Sequence, residues 1–254
     1  MTRANRFVHA IKRAGSPFLL LGLLIVATAA KADTSAESLL EHLDQLYQQD
    51  SAQATLRMEI INPDYERTLR LESWSLGMDF SLVRVLEPAR DRGVSTLKRE
   101  NEMWNYLPRV NRTVRVPPSM MMGSWMGSDF TNDDLMRDTS WAEEYDVSLS
   151  TTDTTYELTL VPREQTVTVW GRMEFSVDRD SLLPLEQRYF NERDELARIM
   201  TFSDVRDFNG RSLPSRLTLE PADKDDQRTT VIYESLAFDV DLTPDFFSLQ
   251  NLRR

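Results

Sequence analysis

The chain has 254 residues, with 30 basic against 41 acidic side chains, a net charge of −11 and no cysteine. That balance argues against nucleic acid or an anionic membrane surface as the main partner, because both demand clustered Lys and Arg. The missing cysteines exclude disulfides, thiol catalysis and lipidation at a cysteine.

Arg3, Arg6, Lys12 and Arg13 form a basic n-region, Phe18 to Val26 an apolar h-region, and Ala30-Lys31-Ala32 a small-residue cleavage site. The pattern predicts a secretory signal peptide over residues 1–32, cleaved after about Ala32, and a periplasmic mature protein starting near Asp33. The apolar run is shorter than the roughly 20 residues that span a bilayer. Its removal takes away five basic and no acidic residues, leaving 25 against 41 and a net charge of −16. Residues 33–254 suit one large β domain able to bury a sizeable core.

Thr34-Ser35-Ala36-Glu37 predicts a capping box with Thr34 as N-cap. Leu39, Leu40, Leu43, Leu46 and Tyr47 then recur at helical spacing. His42, the single histidine beyond residue 32, falls on the polar side of that helix.

From Ala54 the period becomes two. Leu56, Met58 and Ile60 alternate with polar neighbours, as do Leu69 and Leu71, then Phe80, Leu82 and Leu86. Asn62-Pro63-Asp64, Gly77, Glu87-Pro88 and Asp91-Arg92-Gly93 supply turns. Further strands follow over residues 94–99, 103–107 and 113–116.

The alternation is then interrupted by PPSMMMGSWMGSDFTNDDL, from Pro117 to Leu135. Met120, Met121, Met122, Trp125, Met126 and Phe130 make it too apolar for an ordinary surface loop, and methionine suits surfaces that accept several apolar shapes. We read residues 117–140 as a movable lid over a greasy site, with Gly123 and Gly127 as hinges and a short helix starting at Thr131, where Asp133 and Asp134 favour the N-terminus.

After the lid, alternating segments over residues 145–149, 156–160, 173–177, 185–191, 196–205, 215–220 and 229–238 bring the count to about ten to thirteen strands. Thr243-Pro244 opens a short terminal helix. The predicted fold is mainly β: a long antiparallel sheet with an alternating apolar face, the first helix and the helical lid. Such a sheet must curl or split. Curling makes a groove and splitting makes a dry core; periodicity alone leaves both open. For a groove wall the alternation nominates Met58, Ile60, Leu69, Leu71, Leu82, Trp104 and Tyr106.

Catalytic patterns are missing from the sequence. There is no G-x-S-x-G elbow, and a histidine-based triad would have to use His42. Asp129, Asp133 and Asp134 lack the spacing of a calcium loop, and the lid methionines have no histidine or cysteine beside them to suggest copper. We therefore expect no enzyme, no metal and no cofactor, while a carboxylate-pair hydrolase stays open because its geometry is not written in sequence spacing.

The cleaved signal, the amphipathic first helix, the strand MWNYLPRVNRTVRV from Met103 to Val116 and the run MMGSWMGSDFTNDDL from Met121 to Leu135 together resemble the periplasmic family of outer-membrane lipoprotein-sorting proteins. This is the LolA-like branch of a superfamily that also contains LolB and RseB. The resemblance implies a half-barrel with helices over an apolar cavity that takes lipoprotein acyl chains or other lipids, and pairing with an inner-membrane ABC or RND-type transporter. It also implies an alternative role, a lipid- or peptide-sensing regulatory module of the RseB type.

Overall fold

The computed structural model describes residues 34–47, 50–136 and 140–254. The expected signal peptide and residues 137–139 of the lid lie outside the described residues.

Helix α1 (Ala36–Gln45) comes first, and its N-cap is Ser35, whose side chain accepts from Ser38 N, rather than Thr34. The shift of one residue places Ser38, not Glu37, at the third helical position, so the expected reciprocal box does not form. Six strands follow: β1 (Ser51–Asn62), β2 (Tyr65–Leu76), β3 (Phe80–Glu87), β4 (Ser95–Arg99), β5 (Glu102–Leu107) and β6 (Arg112–Arg115). A long connection carries α2 (Asn132–Met136) and α3 (Trp141–Glu144). The second half is β7 (Tyr145–Thr151), β8 (Thr155–Pro162), β9 (Trp170–Asp178), β10 (Pro184–Asn191), β11 (Leu196–Phe208), β12 (Arg211–Pro221) and β13 (Arg228–Phe238). The chain then runs through a 3-10 turn at Pro244–Phe246, entered at Thr243 without a side-chain cap, into α4 (Leu249–Leu252), capped by Ser248.

All thirteen strands form one antiparallel sheet in the order β6-β5-β4-β3-β2-β1-β13-β12-β11-β10-β9-β8-β7. Local hairpins make every pairing except β1 with β13, which joins the two halves in the middle. The sheet is the expected open half-barrel: it curls without closing. Its two edges, β6 and β7, are consecutive in sequence, so residues 116–144 must travel from one edge to the other. The lid is therefore a strap across the whole mouth of the half-barrel.

Residues directly opposite in an antiparallel ladder share a face. Through the registers, Met58, Leu69, Leu71, Val83, Val231, Leu219, Met200, Phe175 and Leu158 fall on the face beneath the strap. There Leu39, Leu40 and Leu43 of α1 pack with Tyr145, Leu158, Leu160, Met173 and Phe175. The other face of β2–β5 carries Trp74, Phe80, Leu82, Leu97, Trp104 and Tyr106, and it is covered by Phe246, Phe247 and Leu252 of the C-terminal segment.

Candidate functional site

The strap is anchored strand by strand in the order in which it crosses the sheet. Trp125 Nε1 donates to Thr96 Oγ1 on β4 at 3.0 Å. On β2, Arg67 donates to Met126 O at 3.0 Å and the Tyr65 hydroxyl donates to Gly127 O at 2.7 Å. Thr229 Oγ1 on β13 donates to Asp129 Oδ2 at 2.7 Å. Arg198 on β11 grips Asp134, and the Trp141 ring lies 4.9 Å from Phe175 on β9.

Local sequence shapes the strap as expected at its helix. Thr131 N donates to Asp134 Oδ2 at 2.8 Å, and Asp134 N donates to Thr131 Oγ1 at 3.2 Å. This is a capping box with Asp in place of Glu. Asn132 Nδ2 further ties the helix start to Met120 O and Gly123 O. The chain turns back at Met126 and Gly127, both left-handed with φ of +53° and +78°.

Between strap and sheet lies a cavity of about 460 Å³. Its roof is Leu43 of α1 with Leu46 and Tyr47 just after that helix, the strap (Trp125, Phe130, Leu135, Met136) and Trp141; its wall is Trp170, Met173, Phe175, Tyr189, Met200, Phe202, Leu217, Val231 and Tyr233 from β9 to β13. A second cavity of about 300 Å³ lies over β1–β4 and shares Tyr47, Asp134, Leu135 and Tyr233 with the first. The Tyr47 and Tyr233 rings stack between them, with centroids 5.1 Å apart. Tyr47 donates to Pro214 O at 2.8 Å. Burial raises both phenols, Tyr233 to about 12.

Asp44, Asp133, Asp134 and Glu144 bring charge to the lining of the main cavity, and one of them, Asp134, is paired with an arginine beside it. Arg198, only 7% exposed, reaches Asp134 with two nitrogens, at 2.9 and 2.5 Å. Its guanidinium carbon sits 4.1 Å from the Tyr189 ring centre and 4.5 Å from that of Trp170. Burial alone disfavours the cation; the hydrogen bonds and charge of Asp134 outweigh it and hold the arginine above its ordinary value. Neighbouring Asp133 is raised, first by burial and then by Asp134, against the pull of Arg198. Among the described residues no group of His, Asp and Glu is arranged to hold a metal.

The expected site residues separate into four groups. Trp125 and Phe130 line the main cavity. Met58, Ile60, Leu69 and Leu71 lie under the strap, fully buried against one another and Trp125, and line neither cavity. Leu82, Trp104 and Tyr106 sit on the opposite face, beneath the C-terminal segment. Met120 and Met122 are exposed on the outside of the strap, with Met121 and Met126 half-buried. Of the two expected hinges, Gly127 has the left-handed backbone and Gly123 does not.

The wall from β9 to β13 lies outside the expected site residues, although Met173 and Phe175 fall in an alternating run. Arg198 left a signal too: it falls in step with Met200 and Phe202, on the apolar side of its strand.

The fold, an open sheet with a strap over its concave face, is LolA-like. A DUF1329 family protein from Desulfovibrio piger is 23% identical, with a TM-score of 0.75 over 85% of this chain and 97% of that one. A LolA superfamily protein from Nitrosomonas europaea is 22% identical, with a TM-score of 0.71 over 86% and 100%. A domain from Vibrio parahaemolyticus assigned to the outer-membrane lipoprotein-sorting proteins is 18% identical, with a TM-score of 0.74 over 86% and 98%. No curated protein matches the sequence. The chain belongs to the family of uncharacterized proteins whose model matches residues 77–254.

Proposed function

We propose that the protein is a periplasmic carrier that holds a lipoprotein acyl group or another lipid beneath the strap and moves it between membranes, with an inner-membrane ABC or RND-type transporter as donor or acceptor. The observation that carries this reading is the mainly apolar, partly open cavity of about 460 Å³ between strap and sheet, a volume in the range of small-molecule sites. Each methylene moved from water into such a wall contributes about 0.8 kcal/mol. About ten buried methylenes thus supply about 8 kcal/mol, enough to offset the lower estimates of the cost of immobilising a ligand.

Transfer of this kind needs no bond making, so the protein acts without catalysis or cofactor. Residues 1–32 act as the export signal and residues 33–254 as the carrier domain, with Trp125 and Phe130 of the strap on the cargo and Gly127 allowing the strap to fold back. The LolA-like and lipoprotein-sorting neighbours support this reading at the level of fold.

The test is mass spectrometry of the organic extract from protein purified after export, without detergent. A stoichiometric phospholipid, fatty acid or acylated peptide is expected. A clean extract, together with no binding of a fluorescent fatty-acid analogue, would overturn the carrier reading.

A further inference from the structure

The negative net charge conceals a local reversal. From Met103 to Ser128 the sequence holds Arg109, Arg112 and Arg115 and no acidic residue, in a chain where 41 of 254 residues are acidic. This stretch is most of β5, all of β6 and the first part of the strap. The tip of the β5–β6 hairpin is a 3-10 turn at Pro108–Val110, followed by Asn111 in the left-handed region. Val110 is 66% exposed and Met120 58%, and Leu107, Val114 and Met122 are exposed as well. Arg109 and Arg112 are exposed and form no ion pair among the described residues, while Arg115 pairs with Glu102 at 2.6 Å.

Two distant segments add to the same edge. The turn at Gly93 packs against Pro108 and leaves Arg92 exposed. Arg253 Nε donates to Thr113 Oγ1 at 3.1 Å, which brings the exposed Arg253 and Arg254 beside β6.

We propose that the β5–β6 hairpin and the outer side of the early strap dock the protein on an anionic phospholipid bilayer. Arginines attract phosphate head groups while their stems, and the apolar side chains set between them, enter the interfacial layer. A protein partner is less suited to this surface. Interface cores between proteins favour aromatic anchors in well-packed pockets, and here Leu, Val and Met side chains stand singly between cations. The acidic remainder of the molecule is repelled by the same membrane, which favours this edge as the one that faces it. Because the strap leaves directly from β6, docking sets its exposed methionines against the lipid surface.

The experiment is co-sedimentation of the exported protein with vesicles of phosphatidylglycerol and phosphatidylethanolamine, and with vesicles of phosphatidylcholine. Binding to the anionic vesicles alone is expected, weakening as salt rises. Arg109→Glu with Arg112→Glu should lower it by about tenfold or more, and Val110→Ser with Met120→Ser should also lower it. Arg206→Glu, an exposed change in the other half of the sheet, should leave it unchanged. Equal sedimentation with both vesicle types, or binding untouched by the charge reversal, would overturn the proposal. So would absent vesicle binding combined with crosslinking of this edge to an acidic protein. Fatty-acid analogue binding by the same variants reads the cavity separately, so failure of docking and failure of the carrier reading are distinguishable.

Discussion

Arg198 of β11 and Asp134 of the strap form a bidentate ion pair at the border of the cavity, with the guanidinium against the rings of Trp170 and Tyr189. Asp134 also closes the capping box of α2. One carboxylate therefore starts the helix and fastens it to the sheet, which couples the local structure of the strap to its position over the cavity.

Breaking one side of that pair strands a charge away from water. Arg198→Met should cost about 3 kcal/mol or more of stability, because removing one partner of a buried pair is far costlier than removing both. Arg198→Met with Asp134→Leu should recover much of the loss. Urea denaturation of the two single variants and the double variant gives the coupling; strictly additive costs would show that the pair does not hold the strap.

Asp133 gives a pH dependence of opposite sense to an ordinary salt-bridged carboxylate. Its folded value is raised above the usual 3.8 by burial and by Asp134. The native state then binds this proton more tightly than the unfolded chain, so the stability associated with the group is present in acid and is lost as pH rises through the raised value. Asp133→Asn should accordingly raise the melting temperature at neutral pH and make little difference below the ordinary carboxylate range. Thermal melts across that window test the sign.

Filling the cavity should block cargo without unfolding the protein. Val231→Phe and Leu217→Phe add volume to the lining of the space of about 460 Å³ from β13 and β12. We expect binding of a fluorescent fatty-acid analogue to fall by about tenfold or more, the equivalent of 1.4 kcal/mol, with the melting temperature held. Undiminished binding would place the ligand elsewhere.

Gly127 is required by its conformation. Its φ is +78°, and a Cβ there would stand 2.9 Å from the Tyr65 hydroxyl oxygen. Gly127→Ala should cost about 1–2 kcal/mol, and chemical denaturation of this variant beside Gly77→Ala, which has open space and also a positive φ, separates the steric part from the backbone part.

Alternating periodicity made nearly every strand legible, because a half-buried sheet must write apolar and polar residues in turn. Turn chemistry was equally plain: Asn209 and Gly210, with φ of +56° and +89°, join β11 to β12, and Asn62 Oδ1 accepts from Asp64 N and Tyr65 N between β1 and β2. The apolar strap and its helix start at Thr131 were visible too. What alternation does not carry is the identity of a face. Leu69 and Leu82 look alike in sequence, yet one lies under the strap and the other under Phe247. Buried Trp125 resembles exposed Met122 only until the donor of its indole finds Thr96.

The sequence by itself determined the class of element, the turns, the net charge and the presence of an apolar insertion, since these follow from local periodicity and backbone preference. Only the tertiary structure decided that β1 meets β13. That pairing across the whole chain makes β6 and β7 the two edges, and it obliges the segment joining them to cross the mouth. Long-range pairing is set by the sum of many weak side-chain contacts, which no short window of sequence contains. From it follow the cavity, the wall from β9 to β13 and the meeting of Arg198 with Asp134.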